Sequence, residues 1–280
     1  MSVAFLFPGL GSQRPGMLHR LPDTAASATV LAEAEWSHPG GVAELDTARA
    51  LEESEVARHV CLLVAGVAGA AALMEDEEIT PALVAGHGLG SFAAAVATGL
   101  LTFAEALRAV RLRGELLERA EEPVHDIGIR MAQHLATVKR RSYTVPYVSS
   151  TEGRCLRDAT NAVFDDLARS VELPARWKEM TTTLADAGAD CLVELPPGRV
   201  LTRRLAEELP GVRAVSVEER GIADAADFAR GTVPVPPLAP SVPDGEWGEG
   251  GSGDAGAEGG HGGGAGAGSG PGPGPGALWG

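Results

Sequence analysis

The residues whose types and spacing come nearest to chemistry are Gly86-His87-Gly88-Leu89-Gly90. A short apolar run, Leu83 to Ala85, leads into them, and a run of small residues from Ser91 to Ala95 follows, which predicts a strand, a turn and a helix in succession. In the Gly-x-Ser-x-Gly elbow, the central hydroxyl stands on a strained turn clear of the sheet, and the flanking glycines let strand and helix pass closely. Here the central residue is Gly88. The spacing supplies the frame of a serine acyl-transfer site without its nucleophile. Ser91 stands three residues on, inside the expected helix and directed away from the tip, and His87 reads as a residue that packs the turn.

The elements that must position this stretch can be read on either side of it. Val3 to Phe7 is an apolar strand closed by Pro8-Gly9, and loops at the carboxyl ends of parallel strands are where α/β folds place ligands. Glu44 to Met74 has helical spacing, and its second half, Cys61 to Leu73, is apolar on all sides and so is expected beneath the sheet. Thr80 to His87 is the expected central strand, and Phe92 to Leu100 the helix after the turn. Thr102 and Glu105 form a capping box that opens a helix continuing to Leu117, and Arg108, Arg111, Arg113 and Arg119 are all read as lying on it. Pro123 opens another helix, with His125 and His134 read as surface or half-buried residues. Strands at Thr144 to Val148 and Cys191 to Leu195 then alternate with helices at Ala159 to Ser170, Trp177 to Ala187 (closed by Gly188) and Val200 to Leu209. The expectation is an α/β fold, a parallel sheet with flanking helices.

With 280 residues, 44% of them hydrophobic, the chain can bury one sizeable core. Its last fifth does not fit such a core: 18 of the 37 glycines lie between Gly245 and Gly280, among Pro, Ala, Ser and acids. We therefore divide the chain into a folded domain, residues 1–231, and a disordered Pro/Gly-rich tail, residues 232–280. The net charge of −15 argues against nucleic acid and anionic membranes as partners, since phosphate recognition needs a basic face. Lys139, Arg140, Arg141, Arg199, Arg203 and Arg204 are the local basic clusters that could meet an acidic carrier or a phosphate, or simply face solvent. Cys61, Cys155 and Cys191 are too scattered for a metal site, and no apolar run reaches the ~18 residues of a membrane span. The expectation is a cytoplasmic protein with no metal and no cofactor.

Four landmarks in order carry a family resemblance: Phe7-Pro8-Gly9-Leu10-Gly11-Ser12-Gln13, Gly86-His87-Gly88-Leu89-Gly90, Val110-Arg111-Leu112-Arg113-Gly114 and Glu194-Leu195-Pro196-Pro197-Gly198-Arg199-Val200-Leu201. Together they resemble the malonyl-CoA:acyl-carrier-protein transacylases, over about Val3 to Glu218. The wording at Arg14-Pro15-Gly16-Met17-Leu18, Leu63 to Gly69 and Pro197 to Thr202 is most similar to the transacylase (epsilon) subunit of biotin-independent malonate decarboxylase. The resemblance implies an acyltransferase, hydrolase-like core with nucleophile-elbow topology. It puts Gly88 at the nucleophile position and the N–H groups of Leu10 and Leu89 in the oxyanion hole. Leu10 stands where the family commonly has Gln, which keeps the N–H and implies a drier hole. Arg113 matches the arginine that pairs with the malonyl carboxylate, a task suited to a forked guanidinium. Malonyl-CoA, an acyl carrier protein and other malonate decarboxylase subunits are the implied partners.

Two departures stand against this. The family carries a ferredoxin-like subdomain after the arginine helix, then a Ser-His segment whose histidine is the general base, six residues before a Pro-opened helix. Here Pro123 follows almost at once, and six residues before it stands Leu117. Subdomain and base are both expected to be missing, with the deletion near residues 117–123. Three readings follow: a family member that is catalytically defective, a non-catalytic subunit that binds carrier protein or acyl-CoA, or a damaged or wrongly assembled reading of an active gene.

Overall fold

A computed structural model describes residues 2–119, 123–209 and 211–232. The expected tail falls outside the described residues from 233 onward. In chain order the elements are β1 (Val3–Phe7), α1 (Ala25–Ser37), α2 (Ala48–Glu53), α3 (Glu55–Ala71), β2 (Leu83–Gly86), α4 (Gly90–Ala97), α5 (Phe103–Glu118), α6 (Val124–Ala136), β3 (Tyr147–Val148), β4 (Cys155–Leu156), α7 (Thr160–Arg169), α8 (Trp177–Asp186), β5 (Cys191–Glu194), α9 (Val200–Glu208), β6 (Arg213–Ser216), α10 (Val217–Arg220) and α11 (Ile222–Arg230).

The strands form one sheet in the order β4-β3-β2-β1-β5-β6, parallel throughout except for the short β3–β4 pair at one edge. β1 lies at its centre, with Phe7 opposite Gly86 of β2 and Leu6 opposite Glu194 of β5. Because side chains alternate along a strand, β1 feeds two cores. Val3, Phe5 and Phe7 face a cluster built with α3, α4, α5 and α7, whereas Ala4 and Leu6 face Trp177, Met180 and Leu184 of α8 and Leu201 and Leu205 of α9. This is the expected α/β architecture, a mostly parallel sheet with flanking helices. Among the described residues there is no second sheet, and α5 ends at Glu118 where α6 begins at Val124.

The long helical pattern from Glu44 is broken in the structure. Ser54 is extended and caps α3 through its side chain, so that α2 and α3 are separate helices. α3 continues through a π-helical turn at Ala72–Asp76, and Glu55–Asp76 together make one helix long and apolar enough to cross a membrane. That corrects the expectation that no segment reaches this length. The helix is the central helix of the larger core, where His59 to Ala70 are all buried and 83% of its most apolar window lies inside the fold. Removing each of its Val and Leu side chains from water is worth about 1.5–3 kcal/mol, which accounts for the composition without a bilayer.

Candidate functional site

The site forms where the carboxyl ends of β1 and β2 meet. The His87 N–H donates to the Phe7 carbonyl (2.9 Å), so the turn after β2 is pinned to the end of β1. Close approach explains the glycines: a Cβ on Gly86 would lie 2.2 Å from the Ser91 nitrogen, one on Gly90 2.2 Å from the Phe7 oxygen, and one on Gly9 2.2 Å from the His87 oxygen. Strand, turn, helix and the Pro8–Ser12 loop can only nest this tightly without side chains there.

Gly88 is different. Its φ is +56°, in the left-handed region, yet a Cβ there would meet nothing within 4 Å. The elbow keeps its backbone and an open space where a side chain would project. The N–H groups of Leu10 and Leu89 donate no hydrogen bond among the described residues, and Leu89 stands at the position just before α4 without a side-chain cap. The pair expected to make an oxyanion hole is therefore free. The Leu10 side chain is 44% exposed, so it does not dry the hole as its exchange for Gln implied.

The side chains that sequence reading weighed near the elbow and on α6 are placed as follows. Ser91 is fully buried and its hydroxyl donates to the Gly86 carbonyl (3.0 Å), beneath the elbow. His87 packs edge-on to Trp177, with ring centroids 6.1 Å apart, and burial together with Arg204 holds its pKa below the ordinary 6.5. His125 is exposed at the start of α6 and pairs with Glu172 (3.0 Å). His134 is half-buried further along the same helix.

Arg113 lies on the inner face of α5 and is 5% exposed. Its two terminal nitrogens donate to the hydroxyl (3.3 Å) and carbonyl (3.1 Å) of Ser170, the residue that ends α7. The guanidinium thus caps the negative end of a helix, and burial lowers its pKa to about 10, still charged at neutral pH. Together with burial, that charge lowers the pKa of His59 on α3 to about 4, so this histidine is neutral. In this conformation the fork serves Ser170 and is closed to a carboxylate from solvent. The basic clusters are largely absorbed as well: Arg140 stacks on Phe164, Arg141 grips Glu105, Arg199 pairs with Glu219 and Arg204 with Glu208.

Two residues that sequence reading passed over bear directly on the elbow. The Ser150 hydroxyl accepts the Gly88 N–H (3.0 Å), and Asp166 of α7 gathers the turn on which Ser150 sits. The only trace in sequence is Ser149-Ser150-Thr151 after a strand, which reads equally well as an ordinary polar loop. Among the described residues, no group of three or more His, Cys, Asp and Glu side chains could hold a metal ion.

Comparison with known proteins agrees with the geometry. The acyl transferase domain family matches residues 4–125. The malonyl CoA-acyl carrier protein transacylase of Salmonella typhimurium is 25% identical over 307 aligned residues, covering 80% of this chain and 98% of that protein. The aligned span exceeds the length of this chain, so the relative carries residues that have no counterpart here. Among solved structures, an acyl-carrier-protein S-malonyltransferase from Burkholderia pseudomallei has a TM-score of 0.72 at 22% identity, covering 81% of this chain and 99% of that one. A malonyl-transacylase solved with its type II polyketide acyl-carrier protein gives 0.72 at 21%, with coverages of 81% and 99%. The chain is thus similar to malonyl-CoA:acyl-carrier-protein transacylases in sequence and shares their fold.

Proposed function

We propose that this chain, similar as it is to malonyl-CoA:acyl-carrier-protein transacylases, binds malonyl-CoA and an acyl carrier protein but forms no acyl-enzyme. One observation carries the reading: the elbow is intact, with free Leu10 and Leu89 N–H groups, around a Gly88 that has no side chain to attack with. Acyl transfer through a serine needs a nucleophile and a base acting as a unit. Losing either alone costs on the order of a millionfold, and losing the second adds little. On this reading the hole polarises a thioester carbonyl, and no serine and histidine pair completes the reaction.

A finer reading, as the transacylase subunit of a malonate decarboxylase, rests on the wording around Arg14, Leu63 and Pro197. A non-catalytic binding subunit in such a complex is the second reading, favoured by an elbow that remains folded and open. The test is incubation with radiolabelled malonyl-CoA followed by denaturation. The expected result is no retained label, for the wild-type chain and for Gly88→Ser alike, since the serine would fit but would find no base. Label on the wild-type chain would overturn the loss of covalent chemistry. Micromolar binding without label supports a binding subunit, and binding neither malonyl-CoA nor carrier protein supports a decayed enzyme.

A further inference from the structure

We infer that Asp166 and Ser150 are positioning residues for the elbow: the carboxylate on α7 fixes Ser150, and Ser150 fixes Gly88 and so the free N–H groups beside it. The Asp166 side chain is 3% exposed and accepts five hydrogen bonds. One oxygen takes the Ser149 hydroxyl (2.5 Å), the Thr151 hydroxyl (2.7 Å) and the Thr151 N–H (2.9 Å); the other takes the Tyr147 hydroxyl (2.6 Å) and the Ser150 N–H (3.1 Å). All five donors lie on β3 or the turn that follows it. A buried carboxylate is tolerated only when its lone pairs are filled in this way, so the arrangement is rigid in proportion to what breaking it would cost.

Ser150 is held at both ends of its backbone. Its N–H goes to Asp166, and its carbonyl accepts the N–H of Arg176 ahead of α8 (2.8 Å). With the main chain held by Asp166 of α7 and by Arg176, the side chain is fully buried, and its hydroxyl accepts the Gly88 N–H at 3.0 Å. This bond occupies the Gly88 donor and holds the His87–Gly88 peptide, which leaves the N–H groups of Leu89 and Leu10 free together. Gly88 gains most from such a tether, because a glycine with positive φ has more alternative conformations to lose than any other residue. Asp166 and Ser170 are four residues apart on one face of α7, so the helix that anchors the elbow through Ser150 also carries the cap that holds Arg113.

The role in ligand binding rests on the proposed reading of the elbow as an acyl-thioester site; the tether itself does not. The experiment is amide hydrogen exchange at Gly88 and Leu89 by nuclear magnetic resonance, in the full chain, for wild type, Ser150→Ala, Ser150→Thr and Asp166→Asn, with malonyl-CoA titrated into each. In Ser150→Ala the Gly88 amide should exchange about tenfold faster, the loss of one hydrogen bond, with the melting midpoint little changed. Ser150→Thr, which keeps the hydroxyl, should restore protection. Malonyl-CoA should bind Ser150→Ala and Asp166→Asn several-fold more weakly than wild type. Should Asp166→Asn fail to fold, the two Ser150 variants still decide the matter. Unchanged Gly88 exchange in Ser150→Ala would overturn the inference, as would covalent malonyl label on Ser150, which would make it a nucleophile. A wild-type chain that does not bind malonyl-CoA refutes the acyl-site reading, and the exchange data then decide the tether alone.

Discussion

A Cβ at position 88 would meet nothing within 4 Å, so the site is missing a side chain and not the room for one. Glycine also relaxes the turn, since a substituted residue at φ +56° carries a strain of roughly 1–2 kcal/mol that a catalytic serine must be held against. Position 113 shows the opposite case, a side chain present whose two terminal nitrogens are both bonded to Ser170, while its buried Nε has no partner among the described residues. Arg113→Ala is expected to destabilise the fold by about 2–3 kcal/mol, because Ser170 loses two charge-assisted bonds and α5 loses a buried side chain. Urea denaturation at pH 7 measures this. If malonyl-CoA affinity falls in Arg113→Ala with no loss of stability, the fork leaves Ser170 to bind the ligand, and its place in the structure is only the resting one.

Among the elements, α5 has an amino end that sets a pH dependence. Thr102 and Glu105 cap each other, and Arg141, ahead of β3, grips both oxygens of Glu105 at 2.6 and 3.0 Å. Chiefly through the Arg141 hydrogen bonds, the Glu105 pKa is lowered from 4.5 to about 2. A carboxylate held below its ordinary value stabilises the fold fully above pH 4.5, and that contribution is lost as the pH falls toward 2. Glu105→Ala should cost about 1 kcal/mol at pH 7 through the capping box. The gap between the two chains should narrow steadily below pH 4.5. A gap that stays constant to pH 2.5 would mean that the ionised carboxylate contributes nothing.

In the molecule as a whole, the core closes at α11, where Ala225, Ala226, Phe228 and Ala229 are buried and Gly231 turns out of the helix at φ +77°. The division after residue 231 remains the one proposed from composition, and residues from 233 onward lie outside the described residues. A chain ended after Thr232 should melt within about 2 °C of the full chain, less than the shift 1 kcal/mol gives a domain of this size. A larger fall would show that residues beyond 232 contribute to the fold.

How much of this could be read in advance differs with the physical range of the interaction. Apolar periodicity and glycine spacing are local, so β1, the elbow, α5 with its capping box and the helices from α6 to α9 were legible to within a few residues. The pattern before them was not: α1 has apolar residues on no single face, and Ser54 divides what read as one helix because a cap can end a helix that periodicity alone would continue. The sequence by itself determined the strand-turn-helix frame and the glycine at its centre, Gly88, since both are matters of residue identity at fixed spacing. Only the tertiary structure decided that Arg113 turns to Ser170, that Leu10 faces water, and that Asp166 reaches the elbow through Ser150. Those are meetings of groups up to 62 residues apart in the chain, chosen by burial and by the need of each buried polar group for a partner, and neither leaves a period in the sequence.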